Sequence, residues 1–277
     1  MEVTTIGLLG VAFLILLLAM GVPIAFAMAA VGLGGIWILE GPSAAMAHVT
    51  LVSWSEGQSF VLVTIPLFVL MGQLVFYTGL ASDLYSTVHK WIGRVPGGIA
   101  ITSVLACGGF GAVTGSSIAT VATMGSVVMP EMRRYNYDVS LATGSLAASG
   151  TLGILIPPSL IFIFYGVMTE SSIGALFMAG VVPGILVAVM FSLIILLRCL
   201  LRPELGPRGP SVGWSVRFRS LTGLVPVLTL FVLVIGGIYA GLFTPTEAAG
   251  VGCAGVLVLA GALRRLTRTS LSNALER

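Results

Sequence analysis

Two polar, glycine-bearing stretches interrupt long uncharged tracts: Gly115-Ser116-Ser117-Ile118-Ala119-Thr120, and Gly150-Thr151-Leu152-Gly153-Ile154-Leu155-Ile156-Pro157-Pro158-Ser159. The hydroxyls of Ser116, Ser117, Thr120, Ser149 and Thr151, with carbonyls freed by unwound backbone, are hard neutral oxygen ligands suited to a small cation such as sodium. Ser117 and Thr151 head that list. Exposed NH groups at half-helix starts suit a carboxylate. Gly115, Gly150, Pro157, Pro158 and Ser159 complete the candidate substrate and ion residues, since glycine and proline permit the breaks that expose such groups. No Arg or Lys lies within either stretch. The charge of a bound anion would therefore be balanced by backbone dipoles and a co-bound cation.

Composition places the elements that hold these breaks in a bilayer. Of the 277 residues, 57% are hydrophobic and only 8% charged, with a mean hydropathy of +1.10. Soluble domains carry about 25% charged residues, so the composition is that of an integral, all-α polytopic membrane protein. Uncharged apolar segments run over 6–20, 24–39, 60–77, 98–129, 139–167, 173–197, 221–242 and 247–263. In a bilayer, unwound backbone survives only where protein or a water-filled cavity satisfies it. Both stretches therefore point to a buried small-molecule or ion site.

The stretch from Val95 to Pro130 carries no charge over about 36 residues, which as one straight helix would reach ~54 Å, too long for a single comfortable crossing. Lys90 and Arg94 precede it; Arg133 and Arg134 follow. A single crossing would split these cations between faces, whereas the positive-inside rule favours a return to the same face. The expectation is a re-entrant hairpin with its tip near Gly115 to Ser117. Pro157-Pro158 removes two helical NH donors and disfavours helix before it, so a discontinuous helix should face that tip. With further spans from Val139, Ile173, Leu221 and Thr244, every basic cluster falls on one face, taken as cytoplasmic, and the N-terminus lies outside.

The first apolar run lacks a basic n-region and a clear cleavage site, and reads as a retained span rather than a signal peptide. Between Ser82 and Arg94, the residues Leu84, Tyr85, Val88 and Trp91 recur at helical spacing among polar residues, as in an amphipathic interfacial helix or a solvated loop. Leu266, Leu271 and Leu275 pose the same alternatives near the C-terminal end. Gly32, Gly34 and Gly35 read as close-packing residues. Thr244-Pro245-Thr246-Glu247 has the order of a capping box with proline at the first helical position; Glu247 could also contribute to an ion path. Cys107, Cys199 and Cys253 have no metal or disulfide spacing.

Gly115 to Thr120, Tyr137-Asp138, Gly150 to Ser159 and Phe243-Thr244-Pro245-Thr246-Glu247-Ala248-Ala249 resemble the large membrane subunit of TRAP (tripartite ATP-independent periplasmic) transporters. Gly21-Val22-Pro23-Ile24-Ala25-Phe26, Ile65-Pro66-Leu67-Phe68 and Ser172-Ile173-Gly174-Ala175-Leu176-Phe177 support the match. The resemblance implies a sodium-coupled importer of carboxylated organic acids, such as C4-dicarboxylates, in the bacterial inner membrane. Its implied partners are a small TRAP membrane subunit, a periplasmic binding protein and the lipid bilayer, with no nucleic acid and no cofactor beyond the coupling sodium. It also implies an elevator fold of two inverted repeats, each with a hairpin and a broken helix.

Only the first such pair is present, so the expected architecture is a complete first repeat and an incomplete second. Expected parts are scaffold spans over 1–81, an interfacial arm over 82–96, and hairpin and broken helix over 97–170. A span with a basic loop follows over 171–220, then second-repeat scaffold and the start of a second arm over 221–277. A truncated, non-transporting scaffold or assembly subunit is the alternative. An intramembrane enzyme is disfavoured: His48 and His89 lie outside the broken segments, and no H-E-x-x-H occurs.

Overall fold

Proline and glycine punctuation sets the first helices. α1 (Val3–Ala19) and α2 (Ile24–Glu40) are joined through Gly21, which turns left-handed, and Pro23. The computed structural model describes residues 3–58, 60–210 and 212–276, with no strand among them. α3 (Pro42–Gly57) follows Gly41, another left-handed residue, and opens on proline, whose missing NH costs nothing at a first helical position. The apolar-run reading passes over this helix, because His48, Thr50, Ser53 and Ser55 dilute its hydropathy. α1 to α3 form one compact unit within Met1–Ser59; Phe60–Arg277 form a second. In the first, Gly10 packs against Val31, but a methyl on Gly32, Gly34 or Gly35 would meet nothing within 4 Å. These three glycines therefore do not close-pack within the described chain, contrary to expectation.

The second unit begins with α4 (Thr64–Tyr77), which bends by 64° at Thr78-Gly79 into α5 (Leu80–Ile92). The bend falls where Gly79 takes a left-handed φ of 77°. The amphipathic stripe of α5 is real: Leu84 and Tyr85 are buried, with Val88 and Trp91 half-buried beside them. Next come α6 (Gly98–Thr114), α7 (Ser117–Arg134), α8 (Val139–Gly150), α9 (Leu152–Leu155) and α10 (Leu160–Met168). α11 (Ile173–Leu201) is long and apolar enough to cross a membrane alone, and so is α15 (Pro245–Ala262). Leu186, Leu193 and Leu197 of α11 are at least half exposed, as lipid-facing residues are. Between α11 and α15 lie α12 (Trp214–Ser220), α13 (Val225–Phe231), a π-helical segment Val232–Gly236, and α14 (Gly237–Tyr239).

α4 and α15 run side by side in the same direction. Thr64 and Thr246 share a hydroxyl hydrogen bond of 2.6 Å at their starts, and Asp83 and Arg265 pair beyond their ends. The capping box at Thr244 forms as its sequence predicts: the Thr244 hydroxyl accepts from the Glu247 NH, and the Glu247 carboxylate accepts from the Thr244 NH at 2.8 Å. α16 (Arg268–Glu276) is helical, but Leu266, Leu271 and Leu275 are exposed. Ser270 and Ala274 are its buried residues instead, small side chains that permit a close approach to α4.

The basic loops of the second unit meet at one end. Gly97 NH donates to Gly206 O at 3.0 Å, Gly209 NH to Gly93 O at 2.9 Å, and Asp138 NH to Leu205 O at 3.0 Å. The Tyr137 hydroxyl accepts from Ile99 NH at 3.1 Å and donates to Pro207 O at 3.0 Å; Thr87 donates to Ser220 O at 2.9 Å. Segments bearing Lys90, Arg133, Arg208, Arg219 and Arg265 are thus tied together, as the charge pattern predicts. Burial pushes the Tyr137 phenol up to about 12, so it keeps its proton and both bonds at neutral pH.

Candidate functional site

α6 and α7 form a helical hairpin. Ile99, at the start of α6, bonds Tyr137 beyond the end of α7, so the two helices run antiparallel. The turn needs only Gly115, left-handed at φ 63°, and Ser116, extended at φ −127° and ψ 125°. Ser116 caps α7: its hydroxyl accepts from Ala119 NH at 3.3 Å, while its carbonyl accepts the Thr120 hydroxyl at 2.7 Å. Thr120 shares a further hydroxyl contact of 3.1 Å with Thr114 across the turn. Beyond these bonds, the NH groups of Ser117 and Ile118 and the Ser117 hydroxyl have no partner among the described residues. Ile118 is 82% exposed and Ser117 half-buried.

The second break is narrower than its motif. Helical conformation continues through Gly150 and Thr151 (φ −64°, ψ −20°) into α9; unwinding is confined to Ile156–Ser159, which contains a cis peptide between Pro157 and Pro158. The reason is the proline pair: neither Pro157 nor Pro158 has an NH to continue the ladder. Around this break the axis bends by 43°. Ser159 repeats the role of Ser116, with similar extended angles, accepting from Phe162 NH at 3.4 Å and donating to Ile154 O at 2.8 Å. The Thr151 hydroxyl donates to Ala148 O at 2.7 Å and is exposed; that of buried Ser149 donates to Ser145 O.

These two breaks touch through backbone. Gly115 O accepts from Leu160 NH at 3.2 Å, and a methyl on Gly115 would stand 2.6 Å from Pro158 O. Behind this contact, a methyl on Gly111 would stand 2.6 Å from the Gly153 Cα, and one on Gly150 2.0 Å from Val121 Cγ2. Only glycine permits such an approach. The hairpin tip therefore faces the discontinuous helix, bringing Gly115, Ser116, Ser117, Thr120, Gly150, Pro158 and Ser159 into one neighbourhood. At the start of α10, Gly115 O takes the Leu160 NH and the Ser159 hydroxyl takes the Phe162 NH, which leaves the Ile161 NH without a partner among the described residues.

The model of the tripartite ATP-independent periplasmic transporter, DctM component, matches residues 11–277. The chain belongs to this family. It is similar to the C4-dicarboxylate TRAP transporter large permease protein of Vibrio cholerae, 39% identical over 238 residues, 85% of this chain and 51% of the relative. That of Pseudomonas aeruginosa is 40% identical over 198 residues, 72% of this chain and 46% of the relative. The ectoine TRAP transporter large permease protein of Halomonas elongata is 34% identical over 239 residues, covering 86% and 56%. The chain spans about half the length of these curated relatives. A TRAP large-permease chain is a transporter component, and its apolar helices suit a membrane protein of many spans.

One polar residue beside the tip lies outside both motifs. A cavity of about 60 Å³ opens beside the tip, lined by Gln73 of α4, Thr114, Ser116, Ala119 and Thr123 among others. That volume holds a few waters or an ion, since about 10–15 Å³ of such space admits one water. Gln73 brings the only side-chain amide in the apolar run 60–77. A polar residue inside an otherwise apolar span was the signal available.

Proposed function

We propose that the chain is part of the large permease subunit of a sodium-coupled TRAP-type secondary transporter in the bacterial inner membrane. It imports carboxylated solutes delivered by a periplasmic binding protein and works with a small TRAP membrane subunit. The observation that carries this reading is the backbone contact of two helix breaks, Gly115 O to Leu160 NH, which leaves the donors at the start of α7 open.

In this reading the free NH groups of Ser117 and Ile118 hold the solute's carboxylate, aided by the positive end of the α7 dipole. Sodium, as co-substrate, takes neutral oxygens near the tip, with Ser117 and Thr151 as the proposed hydroxyl ligands. The Thr151 hydroxyl can keep donating to Ala148 O while its lone pairs face the cation. Movement follows the elevator scheme: α5 is an interfacial arm, and α6 to α10 slide against scaffold spans that include α4. Relatives are named for C4-dicarboxylates, ectoine and isethionate, so the carboxylate reading rests on the tip's NH donors and is not for one acid.

Proteoliposomes containing a large permease that includes this segment, a small membrane subunit and a binding protein are expected to accumulate a carboxylated solute when an inward sodium gradient is imposed. Uptake unchanged when choline replaces sodium would overturn the coupling. Absence of uptake, with the subunits assembled, would favour a scaffold or assembly role.

A further inference from the structure

At the basic end of the second unit, a pocket of about 430 Å³ lies between α5, the turn Ser220 to Gly223 before α13, and the end of α15. Lys90, Arg219 and Arg265 line it, with a single carboxylate, Asp83, that pairs with Arg265. Lys90 and Arg219 form no ion pair among the described residues. Hydroxyls of Ser86 and Thr222 also line it. This is a donor-rich, net positive cavity that the hairpin and the broken helix do not use. Thr87, Ser220 and Gly223 also line it, and Val216, Pro226 and Leu263 supply its apolar part.

A second feature shares the same helix. An apolar groove of about 500 Å³ runs along Val225, Leu228, Thr229, Val232 and Leu233, one face of α13 and the π-helical segment after it. It begins at the residue next to Pro226 of the basic pocket. Val225 and Val232 are more than half exposed. A cationic cavity at one end of this helix, with an exposed apolar face on the same helix, offers the two chemical parts of a membrane lipid. Basic pockets between membrane helices on the cytoplasmic side recognise anionic head groups.

We propose that this pocket binds the phosphate of an anionic phospholipid, its head between Lys90 and Arg219 and one acyl chain along α13. The phosphate chemistry alone would also suit inorganic phosphate; the groove favours the lipid. An occupant here would brace α5 against α13 and the end of α15.

The test is native mass spectrometry of the purified full chain, released from detergent micelles doped with phosphatidylglycerol or with phosphatidylcholine. Phosphatidylglycerol is expected to be retained preferentially, and millimolar inorganic phosphate is expected not to displace it. Retention should fall about fivefold for each of Lys90→Gln and Arg219→Gln. It should be unchanged in Arg94→Gln, a basic residue at the same end that does not line the pocket. Asp83→Asn, which frees Arg265, should raise retention and so gives a reading of opposite sign that misfolding could not mimic. Equal retention of both lipids, undiminished retention in the Lys90→Gln and Arg219→Gln double variant, or displacement by inorganic phosphate would each overturn the assignment.

Discussion

At Gly115 the chain turns left-handed and gives its carbonyl to Leu160 of the other break, so a single residue carries both the hairpin turn and the contact between breaks. A side chain there meets a conformational cost of about 1–2 kcal/mol and a carbonyl oxygen in its path. Gly115→Ala is expected to destabilise the protein by about 2–3 kcal/mol, read as a lower thermal midpoint in detergent, whereas Gly144→Ala, with open space around it, should leave the midpoint within error or raise it. Equal behaviour of the two would remove Gly115 from the account. This position was legible in the sequence because glycine followed by two serines inside an uncharged tract has few other uses. The Gln73 contribution was not, since its meaning depends on which face of α4 meets the tip.

At the scale of elements, the hairpin and α5 followed from charge and spacing, and the start of the second break did not. Gly150-Thr151 reads as a break, but Thr151 keeps helical angles; the NH-less pair Pro157-Pro158 decides where the ladder stops. α16 shows the same limit. Its leucine stripe is exposed while Ser270 and Ala274 pack, because close approach of two helices rewards small residues over large ones. The foot of the hairpin is held by Tyr137, whose hydroxyl joins Ile99 NH and Pro207 O. Tyr137→Phe leaves the buried Ile99 NH and the half-buried Pro207 carbonyl unpaired and is expected to cost about 1–3 kcal/mol, measured by thermal denaturation. The opposite holds for Asp83→Asn at the α5 to α15 contact: that ion pair is partly exposed, and its loss should change stability by less than about 1 kcal/mol.

For the whole molecule, the gathering of basic loops at one end of the second unit gives the charge-based topology a structural footing. With Cys107, Cys199 and Cys253 replaced, single cysteines at Arg134, Arg208 and Arg268 should react with a membrane-impermeant maleimide from the cytoplasmic side only. One at Ser171, between α10 and α11, should react only from the periplasmic side. Labelling of the three basic positions from different sides would break the topology. The central claim is that the meeting of the two breaks makes a sodium-responsive site, and the most direct measurement is the thermal midpoint of the purified chain in sodium against potassium. The account predicts a rise specific to sodium, lost in Ser117→Ala and kept in Thr143→Ala on the exposed side of α8. An equal rise in potassium, no rise at all, or a sodium response that survives Ser117→Ala would contradict it.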